Sequence, residues 1–173
     1  MVIELLLSSP HSRYEGRPAD GPLPAYPGET PESIEIRAGL GVVGDRYFAK
    51  PAHRAASVTL MAMESLEAVA ASLSLDEVPD AAGTRRNIML RGFPVDELRG
   101  VQFALDSGHG AVEFRGNRPA NPCAWMDVVL APGAFTAMRG RGGMRCEPLT
   151  SGVLSLGAAT LTLDSAVVPG FSG

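Results

Sequence analysis

Residues 85–115 read RRNIMLRGFPVDELRGVQFALDSGHGAVEFR, and this stretch decides the fold class. It holds three short apolar segments, at Asn87–Leu90, Val101–Leu105 and Ala111–Arg115, and turns rich in glycine or proline separate them. Short apolar segments between such turns are typical of β-strands. We therefore predict that this part of the chain folds as consecutive short strands.

The same pattern extends to both sides of this stretch. Further strands are predicted at Met1–Ser8, Ser33–Arg37, Ser57–Met61, Met144–Leu149 and Ala158–Leu163. Seven or eight short strands that do not alternate with helices as βαβ units favour a closed or half-closed barrel, because closure removes exposed strand edges. We predict a mainly β fold with minor α, a β-barrel with a few short helices.

The helical segments are fewer and mostly short. Leu66, Val69, Ala70 and Leu73 recur at helical spacing, which predicts one longer helix over Ala62–Leu73 that caps the barrel. Shorter helical segments are expected at Pro122–Leu130 and Ala134–Met138.

Length and composition indicate one globular domain over residues 1–173. Hydrophobic residues make up 45% of the 173 and charged residues 20%, which is close to the globular average. Ser9–Pro31 carries six prolines and is predicted to be a long loop, and Val167–Gly173 is expected to trail off. No apolar run is long enough for a membrane helix and no signal peptide is recognisable, so a cytoplasmic location is expected.

Charge is unevenly distributed along the chain. The net charge is −4, which disfavours nucleic-acid binding, yet residues 85–145 contain nine arginines and five acidic residues. Arginine presents a planar fork that suits phosphate and carboxylate groups. Replacement of lysine by arginine throughout a GC-rich genome is the alternative explanation of the arginine excess.

Cys123 is the strongest single candidate for chemistry. Pro122-Cys123 is predicted to lie at the start of a helix, where free N–H groups and the helix dipole favour a thiolate. The alternative is a small buried hydrophobic residue. Cys146, the second cysteine, is expected to serve packing, and could act as a resolving thiol only if the fold brings it near Cys123.

Two basic segments could hold an anion. Arg85 and Arg86 precede a strand with Asn87, and paired arginines can grip an anionic ligand while the amide shapes the pocket. Gly142-Gly143 lets backbone N–H groups approach a phosphate, with Arg139, Arg141 and Arg145 flanking it. Exposed basic turns are the alternative interpretation of both segments.

The three histidines do not form a metal site with other side chains. His11, His53 and His109 are scattered, without a thiol or carboxylate at ligand spacing, so a metal held by protein side chains alone is not expected. His53 or His109 could still be a base for Cys123 if the fold brings them together.

With these residues in hand, the chain resembles the MOSC domain, named after the C-terminal domain of molybdenum-cofactor sulfurases. The match covers roughly residues 33–165. Its ordered elements are Gly41-Val-Val-Gly-Asp45, Ser57-Val-Thr-Leu-Met61, Arg85-Arg-Asn-Ile88, Leu98-Arg-Gly100, Arg118 with Pro122-Cys123, Gly142-Gly143, and Gly152 with Leu156-Gly157. The closing Gly-Asp of the family appears here as Gly157-Ala158.

The resemblance implies a mostly β barrel and a role in molybdenum-cofactor chemistry. Cys123 would carry sulfur as a persulfide or face the cofactor's molybdenum, and the cofactor would be bound by Arg85, Arg86, Asn87, Arg118, Gly142 and Gly143. A cysteine desulfurase would be the sulfur donor and a molybdoenzyme the acceptor. No pyridoxal-phosphate domain is fused, so that desulfurase would be a separate protein.

Two alternatives remain open at this point. The chain could be a non-catalytic module that binds or delivers the pterin cofactor or a similar anionic ligand. It could also be a cofactor-loaded subunit that reduces N-hydroxylated compounds. The sequence does not decide among sulfur transfer, binding and reduction.

Overall fold

The structure, a computed structural model, describes residues 1–164, and the predicted tail Val167–Gly173 lies outside the described residues. Within these described residues, eleven strands alternate with short helices and turns. The strands are β1 (Val2–Leu6), β2 (Ser33–Arg37), β3 (Gly41–Val42), β4 (Val58–Ala62), β5 (Ile88–Arg91), β6 (Gln102–Asp106), β7 (Val112–Pro119), β8 (Met144–Pro148), β9 (Gly152–Ser155), β10 (Gly157–Ala158) and β11 (Thr160–Leu163). The α-helices are α1 (Met63–Ser72), α2 (Met126–Val129) and α3 (Ala134–Ala137), and short 3-10 helices span Pro18–Asp20, Pro51–Ala56, Ala81–Thr84 and Val95–Leu98.

Eight strands form one nearly closed barrel sheet, so the predicted mainly β barrel is confirmed. The strand order is β10-β1-β5-β4-β8-β7-β6-β11. Its two edge strands, β10 and β11, follow each other in the chain and are separated only by Ala159, which draws the two edges together. A smaller sheet, β3-β2-β9, packs with it.

The barrel interior is filled by alternate residues of the strands. Val58, Leu60 and Ala62 of β4 and Ile88 and Leu90 of β5 lie in this main core, together with residues of seven other strands. Because successive strand residues point to opposite faces, the residues between them point outward. The outer face of β4 and β5 is therefore available for the helices and for polar side chains.

The helices cover that outer face. Leu66 and Val69 of α1 pack in a second cluster with Met61 of β4, Met89 of β5 and Trp125. The predicted longer helix is thus correct to within one residue at each end, but it flanks the barrel wall and does not cap the barrel. No helix within residues 1–164 is long and apolar enough to cross a membrane.

Two predictions about the fold are wrong. Strands β4 and β5 pair in parallel with α1 between them, which makes one βαβ unit where none was expected. Helix α2 begins at Met126 and not near Cys123, and Pro122 and Cys123 precede it without regular secondary structure. The physical reason is that the turn Cys123–Met126 is closed by a hydrogen bond from Met126 N–H to Cys123 C=O, three residues earlier. This is the 3-10 pattern, so the α-helical pattern starts only after it.

Candidate functional site

The segment Arg85–Asn87 connects a 3-10 turn at Ala81–Thr84 to β5. Arg85 adopts the left-handed conformation with φ +58°, which is uncommon for a residue with a side chain. This backbone conformation turns the chain between Ala81–Thr84 and strand β5. All three residues are buried, so the alternative of an exposed basic turn is wrong.

Arg85 uses only one side of its guanidinium within the protein. Its Nη1 donates to Glu29 Oε1 at 2.7 Å, and both side chains are almost fully buried. Its Nε and Nη2 are buried and have no hydrogen-bond partner. These two nitrogens share one edge of the guanidinium, the edge that grips a carboxylate or phosphate with two parallel hydrogen bonds.

Arg86 has different surroundings, because three backbone carbonyls accept hydrogen bonds from its guanidinium. Its Nε donates to Gly142 at 2.9 Å, its Nη2 to Ala120 at 2.8 Å and its Nη1 to Thr84 at 3.1 Å. Burial lowers the pKa of Arg86 to about 10, and the positive charge of Arg145 acts in the same direction. Arg86 therefore joins three chain segments and remains a buried cation.

Asn87 fixes the strands around it. Its Oδ1 accepts from both N–H and Oγ1 of Thr59 at 2.9 Å, while its Nδ2 donates to Leu7 C=O at 3.0 Å and to Asp45 Oδ2 at 3.2 Å. All four hydrogen-bonding positions of the amide are thus used within the protein. Asn87 shapes the site by holding β1, β4 and the Asp45 turn together.

The long proline-rich loop supplies two residues to this region. Glu29 is fixed by Tyr26, whose N–H donates to Oε2 at 3.2 Å, and by the Arg85 ion pair. Burial opposes ionisation of Glu29, but the hydrogen bond and charge of Arg85 outweigh it and lower the pKa of Glu29. The loop is therefore joined to the barrel through a buried charge pair.

Tyr14 is the second residue from this loop. Its hydroxyl donates to Gly83 C=O, and its ring stacks on Trp125 with centroids 5.1 Å apart. Burial raises the pKa of Tyr14, although the charge of Arg85 acts against it. Tyr14 thus contacts both the turn before Arg85 and the segment after Cys123.

A cationic cleft lies where these elements meet. It is narrow, with a cavity volume of about 30 Å³, enough for about two ordered waters or one compact polar group. Larger concavities lie elsewhere, for example one of about 320 Å³ along β6 and β11 whose described lining has no cation. The cleft is lined by Leu7, Asp45, Arg46, Tyr47, Thr59, Arg85, Arg86, Asn87 and Arg145.

Arg145 extends the positive charge from the cleft towards its rim. Burial lowers the pKa of Arg145, and the charges of Arg118 and Arg46 lower it further. Arg118 is exposed, and it stands opposite Arg145 in the register of the paired strands β7 and β8. Arg46 lies over the Tyr47 ring, with 4.6 Å between Cζ and the ring centroid.

Cys123 is exposed, beside the cleft and not among its lining residues. It is close enough to Arg86, Arg145 and Tyr14 to interact with them electrostatically. The predicted stabilisation by a helix start is absent, because α2 begins three residues later and has a single turn. Nearby arginines, and not a helix dipole, supply the positive surroundings of this thiol.

Cys146 lies on the inner face of β8, fully buried in the main core. Burial raises the pKa of the Cys146 thiol far above its usual range. Its neighbour Arg145 points to the other face, where the cleft is, since strand residues alternate. Cys146 therefore packs the barrel.

The glycines Gly142 and Gly143 allow close backbone approach. A Cβ on Gly142 would lie 2.2 Å from Ala120 O, and one on Gly143 would lie 2.1 Å from Leu60 O. The Gly143 N–H already donates to Asp96 Oδ1 at 2.9 Å, so it is not free for a phosphate. Burial raises the pKa of Asp96, and the Gly143 hydrogen bond opposes that rise.

Of the three arginines near these glycines, only Arg145 lines the cleft. Arg139 is exposed and lies over the Phe135 ring at 5.2 Å. Arg141 is exposed and lines a separate groove with Asp96. Of the arginines that flank the Gly142-Gly143 turn, Arg145 is thus the one that could contribute to an anion site in the cleft.

The histidines are not brought to the thiol by any described contact. His109 lies in the turn before β7 and Cys123 after it, and eight strand residues span about 25 Å. His53 packs on Tyr47 with centroids 4.5 Å apart, and its Nδ1 is buried without a partner. Among residues 1–164, no group of three or more His, Cys, Asp or Glu side chains could hold a metal ion.

Sequence reasoning did not single out four residues of this region, namely Tyr14, Glu29, Arg46 and Tyr47. Arg46 and Tyr47 directly follow the Gly41–Asp45 turn, so their position beside a recognised element was the available signal. Tyr14 and Glu29 lie in the proline-rich loop, where the sequence offers no periodicity to place them.

Comparison with known proteins finds a likeness in structure only. No protein-family model matches the sequence, and no curated protein matches it. The structure is similar to YuaD from Bacillus subtilis, with a TM-score of 0.68, 16% identity, and coverage of 92% of this chain and 93% of that one. It is also similar to YiiM from Escherichia coli, with a TM-score of 0.59 and 17% identity over 96% of this chain and 71% of that one.

YuaD and YiiM are MOSC-domain proteins. The fold is MOSC-like. The predicted resemblance is thereby supported at the level of architecture. A further MOSC-domain structure, YiiM from Geobacillus stearothermophilus, is 19% identical, with a TM-score of 0.51 over 63% of this chain and 54% of that one. In this MOSC-like fold the cationic cleft lies on the outside of the barrel wall, beside Cys123.

Proposed function

We propose that this protein binds the molybdenum cofactor, with an anionic group of the cofactor held in the cationic cleft and Cys123 beside it. The observation that carries the proposal is the unpaired edge of Arg85, because a buried guanidinium edge without a partner is costly unless a ligand satisfies it. The MOSC-like fold is compatible with such a role.

The residues of the cleft fit an anionic group. Four arginines and one carboxylate line it, and the cavity suits a compact group such as a phosphate. When bound, the cofactor would supply a molybdenum ion and the pterin sulfurs that hold it. The Arg85 edge would bind the anionic group, while Arg86 and Asn87 keep the cleft walls in place and Arg118 and Arg145 add positive charge at the rim.

Cys123 would handle sulfur at this rim. In the proposed step the Cys123 thiolate attacks the outer sulfur of a persulfide on a donor cysteine desulfurase. A new S–S bond forms on Cys123, the S–S bond of the donor breaks, and the donor cysteine leaves as a thiolate. The exposed position of Cys123 gives a donor protein access to it. A molybdoenzyme would be the final acceptor.

A second candidate is a plain binding or delivery module. The absence of Cys123 from the cleft lining favours it, because the arginines could then bind a ligand without the thiol. The two candidates share the Arg85 site and differ only in the need for Cys123.

Cofactor content tests the binding proposal. The protein is co-expressed with an active cofactor pathway, and molybdenum and released pterin are measured per chain. We expect Arg85→Gln to lower affinity by about 10- to 100-fold, which corresponds to about 1.5–3 kcal/mol for a charge-assisted contact. Arg37→Gln, which removes an exposed arginine on β2, is the matched control. Equal cofactor content in the folded Arg85→Gln and Arg37→Gln proteins would overturn the proposal.

Persulfide formation separates the two candidates. Each protein is incubated with a cysteine desulfurase and free cysteine, and the mass added to each thiol is read by mass spectrometry. Sulfur transfer predicts one added sulfur atom on Cys123 and none in Cys123→Ser. A wild-type protein that binds cofactor but gains no sulfur would leave plain binding as the function.

A further inference from the structure

Two arginines stand directly opposite each other at the rim of the cleft. Arg118 of β7 and Arg145 of β8 are register partners, next to an irregularity in the strand pairing between Gly116 and Arg118. Like charges in directly opposed positions repel each other and destabilise a sheet. This pair therefore needs a reason other than the stability of the sheet.

Among the described residues, 1–164, no carboxylate forms an ion pair with Arg118 or Arg145. The four ion pairs found within residues 1–164 involve Arg37, Arg85 and Arg91. Glu147, the next outward residue of β8, stands opposite Arg115 and not Arg118. The positive field of Arg118 and Arg145 is thus not cancelled by a carboxylate on β7 or β8.

One member of the arginine pair, Arg145, lies near the exposed thiol. Arg145 interacts electrostatically with both Arg118 and Cys123, and it also lines the cleft. A negatively charged molecule that approaches Cys123 would pass within the field of both guanidinium groups. A neutral molecule would gain nothing from that field.

We propose that Arg118 and Arg145 form an anion-binding site at the rim of the cleft that selects negatively charged reaction partners for Cys123. The chemical class is a small molecule or peptide segment that carries a carboxylate or another oxyanion next to its reacting atom. This inference deepens the proposed function by naming the partner class of Cys123. It does not depend on cofactor binding, because Arg85 and not the rim pair carries that proposal.

The test compares two alkylating reagents on cofactor-free protein. Iodoacetate is anionic and iodoacetamide is neutral, and both react by the same displacement, in which the C–S bond forms and iodide leaves. The ratio of their second-order rate constants at Cys123 reports the local potential. Cys123→Ser identifies any background reaction, and Cys146 is buried.

We expect the iodoacetate-to-iodoacetamide ratio to be higher for Cys123 than for free glutathione. The double variant Arg118→Gln/Arg145→Gln should lower it by about three- to tenfold, as expected for removal of two charges near the thiol in a solvated setting. Arg37→Gln should leave it unchanged. The difference should shrink as salt is raised.

Two further measurements keep the proposal falsifiable. Arg145→Lys keeps the positive charge, so its iodoacetate-to-iodoacetamide ratio should stay close to that of the wild type. This separates the effect of charge from that of packing. Inorganic phosphate at constant ionic strength should slow the iodoacetate reaction of the wild type but not that of the double variant. A ratio that equals the glutathione value, or one that the double variant leaves unchanged, would overturn the proposal, and neither result bears on cofactor content.

The source of the bound anion can be distinguished with the same reagents. In protein that has been loaded with cofactor, continued protection of Cys123 by free phosphate would indicate that the rim takes a separate anion. Loss of that protection, with a reduced iodoacetate ratio, would indicate that the cofactor's own phosphate occupies the rim. Either result requires the arginine pair to bind an oxyanion.

Discussion

Glu29 and Arg85 are 56 residues apart in the chain, yet their side chains form an ion pair of 2.7 Å in the protein interior. The pair joins the proline-rich loop to the first arginine of the Arg85–Asn87 segment. It neutralises one edge of the Arg85 guanidinium and leaves the other edge unpaired. The loop is therefore a component of the site and also holds the site's main cation in position.

Removal of Glu29 should destabilise the protein and change its response to acid. Loss of one partner of a buried pair costs about 3–5 kcal/mol, so Glu29→Ala should lower the free energy of unfolding by about that amount. The pKa of Glu29 is lowered by folding, so its contribution is present above the ordinary carboxyl pKa and is lost as pH falls through the lowered value.

Urea unfolding at several pH values, followed by Trp125 fluorescence, measures this effect. The stability difference between wild type and Glu29→Gln should be largest near neutral pH and shrink below about pH 4. Glu35→Gln, at an exposed ion pair, should show little of either effect. A difference between wild type and Glu29→Gln that stays constant across the acid range would contradict the assignment.

Arg86 should behave as a structural residue and not as a ligand-binding one. Because its guanidinium donates to three backbone carbonyls, Arg86→Ala leaves buried acceptors unpaired and should lower the free energy of unfolding by roughly 3 kcal/mol or more. Arg85→Gln also removes one partner of a buried ion pair and should lower the free energy of unfolding by a similar amount, so the two variants should differ in the cofactor content of the folded protein. Thermal unfolding of both variants checks this, and an unaffected Arg86→Ala would show that the carbonyl contacts contribute little.

Gly143→Ala should disrupt the barrel near Asp96. Its φ is +89° and the added Cβ would lie 2.1 Å from Leu60 O, so neither the backbone nor the space allows a side chain. Gly140 also has a positive φ, of +78°, but a Cβ there meets no atom within 4 Å. Gly140→Ala should therefore cost about 1–2 kcal/mol and Gly143→Ala considerably more. Equal losses in denaturant midpoint would show that backbone strain alone determines both.

Most of the barrel could be predicted from the sequence. Short apolar segments between glycine and proline turns placed the main strands, because local periodicity and turn chemistry determine them. The strand pairings could not be predicted this way, and the parallel β4–β5 pair was therefore missed. Two-residue strands such as β3 are too short to leave a pattern.

Some residues of the candidate site were identified from the sequence. Arg85, Arg86 and Asn87 were identified by the ordered motif. The sequence did not show that Arg86 donates to three backbone carbonyls while one edge of Arg85 stays unpaired. That division depends on segments distant in sequence, such as Glu29 and Gly142. The glycine pair was interpreted as a phosphate loop because glycine permits both close ligand approach and close backbone approach, and only the fold shows which applies.

The position of β1 has a consequence for how the chain reaches its folded state. This strand pairs with β5 on one side and β10 on the other, through contacts of Val2 with Arg91 and Ala158. During synthesis both edges of β1 therefore stay unpaired until β5 and β10 are made, roughly 90 and 155 residues later. An apolar strand with unpaired edges is prone to associate with other chains. Protection of β1 by a chaperone should thus matter most until β5 and β10 have been synthesised.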